Sequence, residues 1–127
     1  MVHLKENLIK FLSFPEALLE SMYYDGKDTE IIILTDSAYL GVNGGSIIHN
    51  IKLKLNHWSN IEIRLYNNDS EKWESVDHQN PELLKDIYEF EISNADKIIS
   101  ISGFGKTTGK WTNWLIIDPK INIEYQQ

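Results

Sequence analysis

The sequence contains no cysteine. This absence excludes a disulfide framework, a thiolate zinc site and a cysteine nucleophile. Arginine is almost as scarce, because Arg64 is the only one among 127 residues. Proteins that bind nucleic acid directly usually need clustered lysine and arginine to neutralise phosphates. We therefore expect no direct binding to nucleic acid and no chemistry that depends on a thiol.

Long hydrophobic runs are also missing. The longest apolar stretches are far shorter than the roughly 20 residues that a membrane-spanning helix needs. The N-terminal stretch MVHLKENLIKFL is broken by charged and polar residues and so lacks the continuous apolar core of an export signal. The length of 127 residues is that of one domain. These features predict a single domain, 1–127, that is cytoplasmic and has no membrane contact.

Negative charge, in contrast, is abundant and unevenly distributed. The net charge is −7 at pH 7. Residues 69–91 contain eight carboxylates and only two lysines, which gives this segment a net charge of −6. The carboxylates are Asp69, Glu71, Glu74, Asp77, Glu82, Asp86, Glu89 and Glu91. Such a segment predicts either a surface that attracts a basic partner or a solvated acidic surface without a partner.

Two aromatic residues lie within this acidic segment. Trp73 stands between Glu71 and Glu74, and Tyr88 immediately precedes Glu89. Tryptophan and tyrosine often contribute most of the binding energy of a protein interface. Trp73 has a second interpretation, in which it only covers an edge of the core. We predict a partner-binding site composed of Asp69, Glu71, Trp73, Glu74, Asp77, Glu82, Asp86 and Tyr88.

The stretch SISGFGKTTGKWTNWLII, residues 100–117, raises the question of a nucleotide-binding loop. Such a loop has the pattern G-x-x-x-x-G-K-[ST] and leads into a helix whose N-terminus attracts phosphate. Gly105-Lys106-Thr107 fits the end of the pattern, but position 100 is Ser instead of Gly. The residues after Gly109 are aromatic and β-branched, as in a strand. The glycines therefore predict a turn between two strands.

The periodicity of the remaining sequence predicts an α+β fold, mainly an antiparallel β-sheet of six or more strands. Two N-terminal helices are predicted over residues 4–12 and 15–23, the second with Ser13 and Glu16 as a capping box. Asn80-Pro81 predicts the start of a short helix near residues 80–87.

Strands are predicted by apolar runs and by alternation of apolar and polar residues. They lie at residues 30–35, 51–55, 61–65, 88–92, 98–102, 111–118 and 121–125. Residues 38–42 could form the return strand of a hairpin. Turns are predicted at residues 43–45, 57–60 and 94–96.

Patterns typical of catalytic or metal sites are weak. The four histidines, His3, His49, His57 and His78, lack the i, i+4 spacing of a helical metal site, and no G-x-S-x-G motif is present. We predict no catalytic residue, no metal and no cofactor. An enzyme would need a pocket with convergent titratable groups, for example Asp36 with His49 or His57.

The C-terminal half resembles small bacterial immunity proteins of polymorphic-toxin and contact-dependent growth inhibition systems. In that class, a strand ends in a Gly-Phe-Gly-like turn and a tryptophan-rich strand follows. The residues that carry the likeness, over about forty positions, are Gly103, Phe104, Gly105, Gly109, Trp111 and Trp114. The resemblance implies a non-catalytic cytoplasmic inhibitor that binds a cognate toxin domain, basic if it acts on nucleic acid, and blocks it.

The same tryptophans allow an alternative prediction. Trp111 and Trp114 are three positions apart, so a strand turns them to opposite faces of its sheet. A tryptophan that faces outward suits a carbohydrate- or ligand-binding β domain as well as a protein interface. The two alternatives are thus an acidic surface that binds a basic protein and an aromatic groove that binds a ligand.

Overall fold

The computed structural model describes residues 1–14, 16–93, 95 and 97–126. These residues form twelve β-strands and one short 3-10 helix, Glu6–Phe11. The strands are β1 (Val2–His3), β2 (Leu12–Ser13), β3 (Ala17–Asp25), β4 (Glu30–Leu40), β5 (Ser46–Asn56), β6 (Asn60–Asn67), β7 (Lys72–Ser75), β8 (Asp86–Ile87), β9 (Glu89–Ser93), β10 (Ile98–Phe104), β11 (Trp111–Ile117) and β12 (Lys120–Gln126). The α+β prediction is therefore wrong, and the described chain is almost entirely β.

The two predicted N-terminal helices are replaced by other structure. Residues 4–12 form only the six-residue 3-10 helix, which buries Ile9, followed by the short β2. Most of residues 15–23 belong to β3, which pairs along β4, and Pro15 of the predicted capping box lies outside the described residues. Helices this short are marginal alone. Pairing with the apolar β4 therefore outweighs the helical spacing of the leucines.

The predicted helix near residues 80–87 is also wrong, because this segment is extended and ends in β8. Its backbone pairs with the β10–β11 hairpin instead of with itself. Lys85 N donates to Phe104 O at 3.0 Å, and Lys106 N donates to Leu83 O at 2.7 Å. Hydrogen bonds to a neighbouring strand thus replace those of a helix.

The strands form two antiparallel sheets around one hydrophobic core. The first sheet has the order β1-β12-β5-β4-β3-β8, and β2 also pairs with β4. The second sheet has the order β7-β6-β11-β10-β9. Ile33 and Leu53 of the first sheet belong to the same buried cluster as Ile63 and Trp114 of the second. Two sheets that share one core form a sandwich.

Most of the predicted strands are confirmed, and the pairing of β10 with β11 confirms the turn predicted from the glycines. The predicted return strand at residues 38–42 is wrong, because β4 continues to Leu40 and the chain turns at residues 43–45. β5 and β6 follow each other directly but belong to different sheets. Of the turn predicted at residues 94–96, Asn94 and Asp96 lie outside the described residues.

The first sheet bends along a line that crosses several strands. The alternation of buried and exposed side chains in β5 is interrupted between Ile48 and Ile51, which are both buried although they are three positions apart. Asn50, which lies between them, has a positive φ of 50°. β4 changes phase at the same level, from Thr35 to Ala38. The registers of β3 with β4 and of β12 with β5 also shift. Irregularities of this kind bend a strand, and here they fold the end of the β4–β5 hairpin over the core.

Candidate partner-binding face

The eight residues of the predicted partner site do not form one continuous surface. Glu82 and Asp86 are each only 5% exposed. The other six are exposed: Asp69, Glu71, Trp73, Glu74, Asp77 and Tyr88. The negative charge of residues 69–91 is therefore divided between the interior and the surface.

The carboxylate of Glu82 binds inside the Gly-Lys-Thr loop. It accepts hydrogen bonds from the backbone N–H of Thr107 at 2.9 Å and of Thr108 at 2.7 Å. Burial alone would raise the pKa of Glu82, but the hydrogen bonds from Thr108 and Thr107 outweigh it and lower this pKa below its ordinary value. The loop does bind an anion, and that anion is a side chain of the same protein.

The glycines of the Gly-Phe-Gly turn allow this internal segment to approach. A Cβ atom on Gly105 would lie 2.6 Å from Cδ of Glu82, and one on Gly103 would lie 2.1 Å from the backbone oxygen of Asp86. Asp86 also accepts a hydrogen bond from Phe104 N on Oδ1, at 2.7 Å. Internal packing therefore accounts for both glycines.

The second sheet turns one side to the core and the other to solvent. Ile63, Trp114 and Ile101 are buried, so their neighbours along each strand point outward. We call this solvent side the outer face. It comprises Trp73 of β7; Glu62, Arg64 and Tyr66 of β6; Trp111, Asn113 and Leu115 of β11; Ser100, Ser102 and Phe104 of β10; and Glu89 and Glu91 of β9.

Five aromatic residues form a row across one end of the outer face. Trp73 pairs with Tyr66. Leu65 of β6 pairs with Thr112 of β11, so the next residues along these antiparallel strands, Tyr66 and Trp111, lie opposite each other. Trp111 pairs in turn with Phe104 of β10. Tyr88 then contacts the rings of both Phe104 and Trp111. We call these five residues the aromatic row.

The rings of the aromatic row pack edge to face. The centroid distance is 5.4 Å for Trp73 with Tyr66 and 5.2 Å for Phe104 with Trp111, and the ring planes of each pair are steeply inclined, at 73° and 76°. The two ends of the row are the most open, since Trp73 is 43% and Tyr88 40% exposed. Both were predicted from the sequence as anchors for a partner.

A partly buried polar network lies beside the row and supports it. Arg64 Nη2 donates to Asn113 Oδ1 at 3.0 Å, and Asn113 Nδ2 donates to Ser102 Oγ at 2.8 Å and Ser100 Oγ at 3.0 Å. The guanidinium of Arg64 also lies 4.9 Å from the ring centre of Trp73. This network ties β6, β11 and β10 together and fixes the orientation of the exposed indole.

Carboxylates surround the aromatic row. Glu62, Glu89 and Glu91 are exposed on the outer face, and Asp69 and Glu71 lie in the turn that leads into Trp73. The remaining two predicted acids are placed differently. Glu74 pairs with Leu65 and so points away from Trp73, and its carboxylate accepts from Asn67 Nδ2. Asp77 accepts from Gln79 N at 2.9 Å within a turn.

Sequence reasoning missed Glu62, Tyr66 and Phe104 as members of this face. The alternation of β6 already indicates that Glu62, Arg64 and Tyr66 share one side of a strand. The pairing of β6 with β11, which are separated by about 45 residues, has no local signal in the sequence.

The structure also places the residues of the two alternative sites, the tryptophan groove and the catalytic pocket around Asp36. Trp111 is half-buried within the aromatic row, and Trp114 is fully buried, with Nε1 donating to Glu82 O at 3.0 Å. Asp36 lies beside Glu20, whose pKa is raised by a hydrogen bond and by repulsion from Asp36. Of the two histidines named with Asp36, His49 pairs with the adjacent Ser37 and lies near it, whereas His57 follows the far end of β5 and does not.

Within the described ranges, no three His, Asp or Glu side chains are grouped as metal ligands, and no helix is long and apolar enough to cross a membrane. Comparison with known proteins found no family model, no curated protein and no solved structure that matches the chain. Its function has to be inferred from the aromatic row and the charges around it.

Proposed function

We propose that this chain is a non-catalytic, cytoplasmic binding protein of the immunity type, which neutralises a basic toxin domain by covering it with the outer face. One observation carries the proposal: five aromatic side chains lie side by side along one end of the sheet, and exposed carboxylates lie on both sides of this row. An aromatic centre within a charged rim is the usual anatomy of a specific protein interface.

The shape of the row favours a protein over a saccharide as its ligand. Four residues of the row lie on the adjacent strands β7, β6, β11 and β10, which span about 14 Å at the usual spacing between strands, and Tyr88 extends the row beside β10. This width suits one side of a standard protein interface. Sugars stack on the flat face of a ring, whereas neighbouring rings here are inclined by 73° to 87° and present a ridged surface.

The charge of the outer face favours a basic partner. Glu62, Glu89 and Glu91 lie on the face, while the cations beside them already contact the row. Arg64 contacts Trp73 and Asn113, and Lys85 Nζ lies 5.9 Å from the ring centre of Phe104. Exposed carboxylates mainly accelerate the encounter with a positive surface, and the buried aromatic contacts slow dissociation. A toxin that acts on nucleic acid needs a positive surface for its substrate, and the carboxylates would occupy that surface.

The experiment begins with the gene immediately upstream. We expect it to encode a secreted protein with a basic C-terminal domain, and we expect the purified chain to bind and inhibit that domain. Trp73→Ala and Tyr88→Ala should each weaken the affinity roughly 30-fold, as for interface residues worth about 2 kcal/mol. Calorimetry or surface plasmon resonance gives the dissociation constants.

The matched controls are Tyr23→Ala and Tyr39→Ala, which remove tyrosines that are 50% and 43% exposed on the first sheet. Both should bind like the native chain. The proposal fails if no complex forms with the neighbouring domain, or if the controls weaken binding as much as the two variants of the aromatic row.

A further inference from the structure

A concave site lies at the opposite end of β6 from the aromatic row. A cleft of about 740 Å³ opens between the β3–β4 turn, the connection from β5 to β6 and residues 78–81. Asn60 starts β6 beside this cleft, whereas Tyr66 contacts Trp73 near the end of the strand. Six residues of extended chain separate the two by roughly 20 Å. The cleft is therefore independent of the aromatic row.

One wall of the cleft is a flat aromatic stack. Trp58 is half-buried and stacks on Tyr24 with their planes only 8° apart and their centroids 6.1 Å apart. Tyr24 packs in turn on the edge of the buried Trp114. The indole of Trp58 is thus connected to the core through two rings, and it lines the cleft in a fixed orientation.

The other walls are polar apart from Ile61 and Pro81, and their backbone is held in place. His57 N donates to Thr29 O at 3.0 Å, which joins the β5–β6 connection to the β3–β4 turn. Ser59 N donates to Ile117 O at 2.9 Å. Asn60 and Gln79 line the cleft, and because Asn60 Oδ1 accepts from Ile61 N at 2.9 Å, the Nδ2 of Asn60 is left to donate to a ligand. Amides donate and accept at once, which suits a ligand rich in hydroxyl groups.

The charges in the cleft favour a neutral ligand. Asp25 and Lys27 both line it, and their formal charges cancel. The Asp25 carboxylate also accepts hydrogen bonds from the backbone N–H of Lys27 at 2.9 Å and of Asp28 at 3.2 Å, so its own turn occupies it. Apart from Asp25, Lys27 and the two tyrosines, the titratable side chain that lines the cleft is His78.

We propose that this cleft binds a neutral saccharide, with one sugar ring stacked on Trp58 and its hydroxyl groups bound by Asn60 and Gln79. The volume lies within the usual range of about 300 to 1,000 Å³ for small-molecule sites. A flat, immobilised indole beside amide side chains is the combination that recognises the apolar face and the hydroxyl rim of a sugar. The proposal shares no residue with the aromatic row.

The test uses the full chain with four probes: chitotriose, cellotetraose, maltotetraose and xylotetraose, each up to millimolar concentration. We expect at least one probe to bind saturably, as measured by tryptophan fluorescence and calorimetry. Trp58→Ala should abolish the binding, and Gln79→Ala should weaken it about tenfold, the loss expected for one good hydrogen bond. Gln79 is exposed, so its variant keeps the test valid if Trp58→Ala fails to fold.

Trp73→Ala is the matched tryptophan control, and it should bind the saccharide like the native chain. The proposal is overturned if none of the four probes binds saturably, or if Trp73→Ala loses the binding while Gln79→Ala keeps it. Because the two sites are separate, the same variants also distinguish this outcome from a failure of the toxin-binding proposal.

Discussion

The carboxylate of Glu82 lies where an external phosphate would have to bind if residues 105–109 formed a nucleotide site. Two backbone N–H groups already donate to it, and Gly105 is there because a Cβ atom would collide with the carboxylate. A buried charge is tolerated only when it is well compensated, and these hydrogen bonds provide that compensation. The sequence indicates the turn correctly. It does not indicate the anion, which comes from a residue 23 positions earlier.

Glu82→Gln is expected to destabilise the protein by about 1 to 3 kcal/mol at pH 7, the range for a hydrogen bond to a charged group. The folded-state pKa of Glu82 lies below its ordinary value of 4.5, so its stabilising effect is present at neutral pH. This effect is lost as the pH falls through the lowered pKa. Urea unfolding at several pH values measures the change.

The difference in unfolding free energy between Glu82→Gln and the native chain should accordingly shrink as the pH is lowered below 4.5. Glu91→Gln removes an exposed carboxylate and should change stability by less than about 0.5 kcal/mol. A penalty for Glu82→Gln that is the same at acid and neutral pH would show that charge is not the cause.

At the scale of strands, local alternation predicts β6, β9, β12 and the part of β5 from Ile51 to Leu55, where every second side chain turns to the core. The predictions of helices failed where the pattern was short and a partner strand was available, as in β3. The aromatic row lies beyond such reasoning, because the hairpin that carries Tyr66 and Trp73 is distant in sequence from the strand that carries Trp111. The change of phase at Asn50 is equally invisible, since it depends on how four strands bend together.

Asn50→Val tests the bend of the first sheet. Asn50 has a φ of 50°, a conformation that asparagine tolerates and a β-branched residue does not, so the variant should lose roughly 1 to 3 kcal/mol of stability. Asn50→Gly removes the same side chain and its hydrogen bond to Gln126, but it accepts the positive φ. It should retain near-native stability in urea unfolding. Equal losses for both variants would assign the effect to the side chain instead of to the backbone.

The two sheets of the whole molecule differ in the charge of their solvent sides. On the first sheet, lysines and carboxylates are mixed, as in the ion pair of Lys54 with Glu30 at 3.5 Å. On the outer face of the second sheet, Glu62, Glu89 and Glu91 are accompanied by Arg64 and by Lys85, whose ammonium lies 5.9 Å from the ring centre of Phe104. A net charge of −7 is thus presented asymmetrically, and the proposed partner is expected to approach the second sheet.

Reversal of charge on the outer face should therefore slow association with the toxin domain. The double variant Glu89→Lys with Glu91→Lys is expected to reduce the association rate several-fold and to flatten its dependence on salt concentration. Glu20→Lys with Asp28→Lys changes the net charge equally on the first sheet, where both side chains are exposed. Stopped-flow kinetics should show little effect for this pair. Equal slowing by the two double variants would indicate that only total charge matters.

Because β12 lies between β1 and β5, the first sheet cannot be completed during translation until β12 has been synthesised. Val2 pairs with Tyr125, and one edge of β5 stays unpaired until that point. Contacts between such distant segments form slowly, and an open strand edge readily recruits another chain. The nascent polypeptide consequently passes through a stage in which the first sheet is incomplete and its exposed strand edge is prone to aggregation. Slower synthesis, or a chaperone that shields extended segments, would then raise the yield of monomer.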